Sequence, residues 1–257
     1  MRCAQGTETG GAEEMERIRL NKYLASRGIC SRRDADKLIA SGTVLVNGVR
    51  AELGTVITEA DEVWVRGKIL EHKDASDRFR RVVLAYYKPV GVVCTERDKH
   101  ADKIVTEQIN YPVRVTYAGR LDKDSEGLLL LTNDGELIQK LMKASNHHEK
   151  EYVVKTVKPV TPEFLKQMEK GVYLKDLDVT TRPCQVKGIG PYTFSIILTQ
   201  GLNRQIRRMC EACGNRVKSL KRIRVVNILL EDLKPGEYRE ITGPQLEELY
   251  HLAGCKM

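Results

Sequence analysis

The stretch AGRLDKDSEGLLLLTNDG, Ala118 to Gly135, constrains the fold more than any other part of the chain. Four leucines in a row, Leu128 to Leu131, read as a buried strand. Asp122 stands just before them, between the bases Arg120 and Lys123. A carboxylate among bases at the mouth of a buried strand has two readings. One is a surface salt bridge. The other is a catalytic acid held charged in a pocket, and the rest of the chain has to separate them.

A chain of 257 residues fits one large domain or two smaller ones. Forty-one per cent of it is hydrophobic, enough for a sizeable core, and the formal net charge is +8. That excess favours a polyanionic partner, nucleic acid first and an acidic membrane surface second. No apolar run approaches the ~18 residues of a membrane span, so no membrane partner is expected. Residues 1–16 have no apolar core, do not read as a secretory signal, and are expected to be a disordered tail. The seven cysteines are odd in number and scattered, which fits free thiols in a reducing cytoplasm. Cys210 and Cys213 form a CxxC without a second ligand pair, so they read as two cysteines on one helix rather than a zinc site.

Near the N-terminus, Leu20, Tyr23 and Leu24 fall at i, i+3, i+4 and predict a helix stopped by Gly28. Ser31 is a good N-cap for a second helix with Asp34 in its first turn and Ala35, Leu38 and Ile39 on one face; Gly42 ends it. Val44 and Val46 alternate into the tight turn Asn47-Gly48, Val49 begins the return, and Val63 and Val65 form another short strand. Arg19, Lys22, Arg27, Arg32, Arg33 and Lys37 lie in or beside the two helices, a face suited to phosphates or simply to solvent. The polar run 71–80 reads as a linker.

Arg81 to Thr95 is a β-rich run broken by Lys88-Pro89-Val90-Gly91, predicting strand, turn, strand. Strands are expected at Glu151–Val157, in YTFSIILTQG and in RIRVVNILLEDL. Helices are expected at Pro162–Val172, in NRQIRRMCEACG and in GPQLEELYHLAG. Helices and strands do not alternate regularly, which argues against a doubly wound sheet and for an α+β domain on a mixed, mostly antiparallel sheet with flanking helices. Asn203 to Arg224 holds eight bases, Arg204, Arg207, Arg208, Arg216, Lys218, Lys221, Arg222 and Arg224, against one acid, Glu211. Clustered charge of this kind is most often used on phosphates.

RLNKYLASRGICSRRDADKLIASGTVLVNG resembles the small RNA-binding domain named after a ribosomal small-subunit protein, the S-four type or alpha-L motif. GRLDKDSEGLLLLTNDG and TQGLNRQIRRM resemble two signature motifs of the pseudouridine synthases, YYKPVGVVCT a third, and KEYVV the tyrosine-bearing strand. The match is to the ribosomal RNA branch, and the form QGLNRQIRRMCE is most similar to the large-subunit (23S) subgroup. The resemblance spans nearly all of the chain after residue 16. It implies an RNA-binding module over 17–70, a linker over 71–80 and a catalytic domain over 81–257. It implies a partner, structured ribosomal RNA, and a reaction, uridine to pseudouridine, with no cofactor and no metal, in a cytoplasmic monomer.

The resemblance also implies site roles. Asp122 is the essential aspartate, acting as a nucleophile or by taking a sugar proton. Arg207 is its guanidinium partner, whose charge would offset the desolvation of a buried carboxylate. Tyr152 is the ring that stacks on the flipped base or relays its proton, with a half-buried strand tyrosine as the plain alternative. Arg120 fills the space left by the displaced base, contacts a phosphate, or makes a simple salt bridge. Leu121, Lys123, Leu202, Asn203, Arg204, Gln205 and Arg208 complete the expected RNA contacts of this domain; Arg19, Lys22, Arg32, Arg33 and Lys37 supply those of the module. Asp124 and Asp134 read as turn or cap acids, Ser125 has no obvious base, and His147-His148 reads as a solvated loop. Two other classes compete: a ribosome-assembly factor that binds RNA without reacting, and a nucleoside hydrolase. A buried acid near phosphates argues against the first, and the basic regions argue against the second.

Overall fold

The computed structural model describes residues 17–70, 81–95 and 103–255. The expected tail 1–16 and linker 71–80 lie outside the described residues. The chain separates into two compact units, Met1–Arg80 and Arg81–Met257.

In the first unit, β1 (Ile18–Arg19) leads into α1 (Leu20–Ser26), and α2 (Arg32–Ala40) follows. Gly28 and Gly42 leave their helices in the left-handed region, as their places in the sequence require. Ser31 caps α2: its Oγ accepts from the Asp34 N–H at 3.1 Å and donates to the Asp34 carboxylate at 2.8 Å. A cap of this kind contributes about 1 kcal/mol. β2 (Val44–Val46) turns through Asn47 and Gly48, both with positive φ, into β3 (Val49–Arg50). β4 (Val56–Ile57) pairs with β1, and β5 (Val63–Val65) and β6 (Lys68–Leu70) complete a sheet of order β3-β2-β5-β6. Leu20, Leu24, Ala35, Ile39, Val44, Ile57 and Val63 bury a small core between helices and sheet. The charged residues are left outside it: Arg19, Lys22, Arg32, Arg33 and Lys37 are all exposed.

The second unit is built on one sheet. Its strands are β7 (Val83–Lys88), β8 (Thr116–Ala118), β9 (Glu126–Thr132), β10 (Lys150–Thr156), β13 (Gln185–Gly190), β14 (Thr193–Leu198), β15 (Val217–Val225), β16 (Ile228–Leu229) and β17 (Tyr238–Glu240). A separate ribbon pairs β11 (Tyr173–Leu174) with β12 (Val179–Thr180). The main order is β13-β14-β10-β15-β9-β7-β17, antiparallel throughout except for β15 and β9, which run parallel. The helices are α3 (Gly135–Met142), α4 (Pro162–Glu169), α5 (Gln205–Ala212) and α6 (Gly243–Ala253).

The leucine run is β9, in the middle of the sheet and buried on both faces. Leu128 and Leu130 pack with Leu137 and Leu141 of α3 and with Leu249, Tyr250 and Ala253 of α6. Leu129 and Leu131, pointing the other way, pack with Leu84, Tyr86, Val105, Val115 and Leu121. A third cluster joins β10 and β14 to α4 and α5 through Val154, Phe164, Met168, Phe194, Ile196, Ile206 and Met209. Tyr152 packs partly against both of the last two clusters, so it marks the seam between them.

Two sequence expectations need correction. Val92 and Val93 do not continue as a strand after the Pro89 turn; Val93 makes only an isolated parallel bridge to Ile104. The apolar pattern there reflects burial of Val92 rather than ladder pairing. RIRVVNILLEDL is not one strand either. Val226, at φ 54°, turns the chain back, and β15 pairs with β16 as a hairpin. A β-branched residue in the left-handed region is rare, so the sequence carries no signal for this turn.

Candidate active site

Asp122 lies in the loop between β8 and β9, and the neighbouring segment 88–94 shapes that loop. Gly91 N–H donates to Lys123 O at 2.7 Å, Leu121 N–H donates to Cys94 Sγ at 3.5 Å, and Ser125 N–H closes a turn on Asp122 O at 3.1 Å. Lys88 is fully buried and holds its own turn closed, its Nζ donating to Pro89 O (2.8 Å) and Val92 O (2.9 Å). Burial pushes the Lys88 ammonium below its ordinary value, while the charges of Cys94, Asp122 and Asp124 push it back up. The Asp122 carboxylate is left 31% exposed.

The opposing wall is the start of α5. Arg204, at φ 50°, is the residue before its first turn, and its guanidinium takes Asp124 in a fork: Nη1 to Oδ1 at 3.2 Å and Nη2 to Oδ2 at 3.1 Å. The same Nη1 stands 3.5 Å from Asp122 Oδ2. Arg207 is buried. Its Nη2 donates to Asp124 O (2.9 Å) and Ser125 Oγ (3.1 Å) and lies 3.3 Å from Asp124 Oδ2. Its Nε makes no hydrogen bond and faces Asp122 Oδ2 at 4.0 Å. Two acids and two arginines thus form a closed ring. Burial alone would raise the Asp124 carboxyl, but the Arg204 hydrogen bonds and the charges of Arg207 and Arg204 hold it below the usual carboxylate value.

The floor is the sheet. Tyr152 on β10 sits opposite Arg222 on β15 and Ile196 on β14. Arg222 is buried, with Nε donating to Leu128 O at 2.6 Å. Lys150, two residues before Tyr152 on the same face, is pushed down to about 8, first by burial and then by Arg222. Lys88 is within electrostatic reach of Asp122, Asp124 and Arg222, which ties the loop to the floor. An acid with guanidiniums on one side, a half-buried aromatic ring in the seam and buried cations beneath is suited to an anionic, planar substrate group.

The other expected RNA contacts divide. Arg120, Lys123, Asn203 and Arg204 are exposed at the mouth, and Arg120 makes no hydrogen bond or ion pair among the described residues. Arg208 is half-buried, donating to Asn203 O and paired with Asp176. Leu121 and Gln205 are corrections: neither faces solvent. Leu121 belongs to the core, and the Gln205 side chain accepts from Leu202 N–H at 3.1 Å, closing the loop before α5. Leu202 leans on the α4–α5 cluster. The basic segment is also less free than its local charge suggests. Arg224 pairs with Glu149 and Glu151, Lys221 lies 4.8 Å over the Tyr87 ring, and Arg222 is buried, leaving Arg216 and Lys218 exposed. Asp134 caps α3, accepting from the Glu136 and Leu137 N–H groups. Cys210 is a core residue whose thiol burial pushes up to about 12. His147 is exposed, with Nδ1 3.1 Å from Arg182.

Sequence reasoning missed Lys88 and Arg222 as parts of this site and reduced Asp124 to a turn acid. Asp124 does sit in a turn, but its carboxylate is the main anchor of Arg204. The available signal was three acids in five residues, Asp122, Asp124 and Glu126, facing an arginine-rich segment elsewhere in the chain.

Residues 82–212 match the family model for RNA pseudouridylate synthase, and residues 18–63 match the S4 domain. The dual-specificity RNA pseudouridine synthase RluF of Escherichia coli (strain K12) is 47% identical over 235 residues, covering 91% of this chain and 79% of that protein. The ribosomal large subunit pseudouridine synthase B of Bacillus subtilis (strain 168) is 40% identical over 244 residues, covering 91% and 96%. A crystal structure of a pseudouridylate synthase superposes with a TM-score of 0.64 at 29% identity, over 91% of this chain and 99% of the other. The chain belongs to the RNA pseudouridine synthase family and carries an N-terminal S4 domain.

Proposed function

We propose that the protein converts a uridine of large-subunit ribosomal RNA to pseudouridine, with Asp122 as the acting carboxylate. The observation that carries this reading is the Asp122 carboxylate, partly exposed and flanked at 3.5 and 4.0 Å by Arg204 and Arg207, inside the segment that matches the family. The C1′–N1 bond breaks with its electron pair going to N1, the uracil turns while held, and a C1′–C5 bond replaces it as the C5 proton leaves to water and N1 takes up a proton in exchange. Atoms and electrons balance without a cofactor. The uridine has to leave its stack first, at a cost of a few kcal/mol. Stacking on Tyr152 offsets roughly 1–3 kcal/mol of that, and Arg120 fills the vacated space or holds a phosphate. Arg207 positions Asp122, while Lys123, Asn203, Arg204 and Arg208 contact the RNA backbone around the flipped nucleotide.

The relative RluF is named for dual specificity, and we extend that to a second RNA for this chain. The protein works as a monomer in the cytoplasm, where ribosomal RNA is made; among the described residues no helix is long and apolar enough to cross a membrane.

The test is tritium release from RNA labelled at uridine C5, with large-subunit, small-subunit and small RNA fractions presented separately and no cofactor added. Release from large-subunit RNA is expected. Release from small-subunit RNA alone would overturn the substrate, and release from none, assembly intermediates included, would leave the chain a binding protein.

The S4 unit supplies affinity in this reading. Each phosphate contact contributes a slope of about 0.9 to log K against log salt, so Arg32→Ala with Arg33→Ala should flatten that slope by roughly 1.8. The single-turnover rate at saturating protein should hold. An unchanged slope in filter binding would remove these two arginines from the RNA interface.

A further inference from the structure

We propose that Asp124 is a positioning residue that keeps Arg204 from locking onto Asp122. The proposal rests on the reaction assigned above and goes one residue beyond it.

Every short bond made by the two arginines goes to Asp124 or its neighbour. Arg204 spends both Nη groups on the Asp124 carboxylate at 3.1 and 3.2 Å, and Arg207 Nη2 is bound by Asp124 O and Ser125 Oγ. Asp122 receives only the long approaches, at 3.5 and 4.0 Å. Its oxygens are flanked by positive charge but not consumed by it. Planar, forked guanidinium pairing is the strongest way to tie up a carboxylate, and a carboxylate so tied has one lone pair on each oxygen engaged and one edge blocked, which weakens it towards a sugar. Arg204 Nη1 already bridges the two acids, so a small rotation would move its fork from one to the other.

A second, 49% exposed acid at the mouth of an RNA site also costs affinity, because it repels phosphate. Binding alone does not account for it. Holding Arg204 aside does. Among the described residues of the S4 unit, the exposed Arg32 and Arg33 carry no ion pair.

The test is single-turnover tritium release at saturating protein, with RNA affinity measured in parallel, for wild type, Asp124→Asn, Arg204→Ala and the double variant. Asp124→Asn should react about tenfold more slowly, the scale of one charge-assisted hydrogen bond, while binding RNA at least as tightly as wild type. Removing Arg204 as well should cancel the defect, bringing the double variant to within about twofold of Arg204→Ala alone, since sites that share a partner are non-additive. Asp124→Glu should retain most of the rate. A double variant that stays about tenfold slower than Arg204→Ala alone, or an Asp124→Asn as fast as wild type, would overturn the proposal. A thermal unfolding scan checks that Asp124→Asn is folded. If wild type forms no pseudouridine, the functional reading falls; if wild type is active and the rescue is missing, only the role of Asp124 falls.

Discussion

Asp122→Asn should abolish pseudouridine formation while leaving RNA affinity intact or slightly raised. The change keeps the side chain's size and removes a charge that only the reaction needs. The loop should survive, because its shape does not depend on the carboxylate. Its turn is closed by backbone groups, Ser125 N–H on Asp122 O, and its anchors are Gly91 on Lys123 O and Leu121 in the core. Arg204 and Arg207 keep their short bonds to Asp124 and Ser125. The expected loss is large, on the order of 10⁴-fold or more, as for removal of an acting group elsewhere. Affinity moves the other way, since one negative charge fewer faces the phosphates. Single-turnover tritium release and filter binding on the same preparation separate the two effects. Residual turnover within tenfold of wild type would take Asp122 out of the chemistry.

Local signals made the two helices, the β2–β3 hairpin and β5 of the first unit legible, but not β1, β4 or β6. Ser31 before a helical repeat, Gly28 and Gly42 after one, and Asn47-Gly48 between alternating valines each act within a few residues, and each is found in its expected place. The leucine run was legible as a buried strand, but not what covers its two faces, because its partners come from α3 and α6 on one side and from Leu84, Tyr86, Val105, Val115 and Leu121 on the other. The site was legible only in part, for a related reason. Asp122, Tyr152 and Arg207 could be carried over from a family likeness, whereas the Asp124–Arg204 fork joins residues 80 apart. Local charge counting also overstated the free positive charge of Asn203 to Arg224. The acids that pair with Arg204, Arg208 and Arg224, namely Asp124, Asp176, Glu149 and Glu151, lie far along the chain. Gln205 looked like a reader of RNA because it is polar beside arginines, but α5 starts at Gln205 itself, and an amide there serves the backbone of its own loop.

Sheet and site meet at the backbone of Gly127, and Gly127→Ala is expected to be strongly damaging. Gly127 has φ +107°, a conformation that L side chains rarely adopt. It pairs in parallel with Arg222, and β9 and β15 share only two such pairs. A Cβ at Gly127 would stand inside the contact distance of Arg222 O and 2.7 Å from Arg222 N. The obstruction is backbone, so no rotamer change relieves it, and β15 has to move away from β9. That movement stretches the Arg222 Nε bond to Leu128 O and leaves a buried guanidinium short of an acceptor. Strain, overpacking and a broken buried bond together should lower stability by about 3–5 kcal/mol. Urea unfolding of Gly127→Ala beside Gly135→Ala makes the comparison internal. Gly135 opens α3 with nothing within 4 Å of its added methyl, so that variant should stay within about 0.5 kcal/mol of wild type or gain slightly. Because β15 carries Arg222 opposite Tyr152, whatever fraction of Gly127→Ala remains folded should also react slowly at full RNA occupancy. Equal unfolding midpoints for the two variants would mean that the β9–β15 crossing is not the close backbone contact on which this account of the site's floor depends.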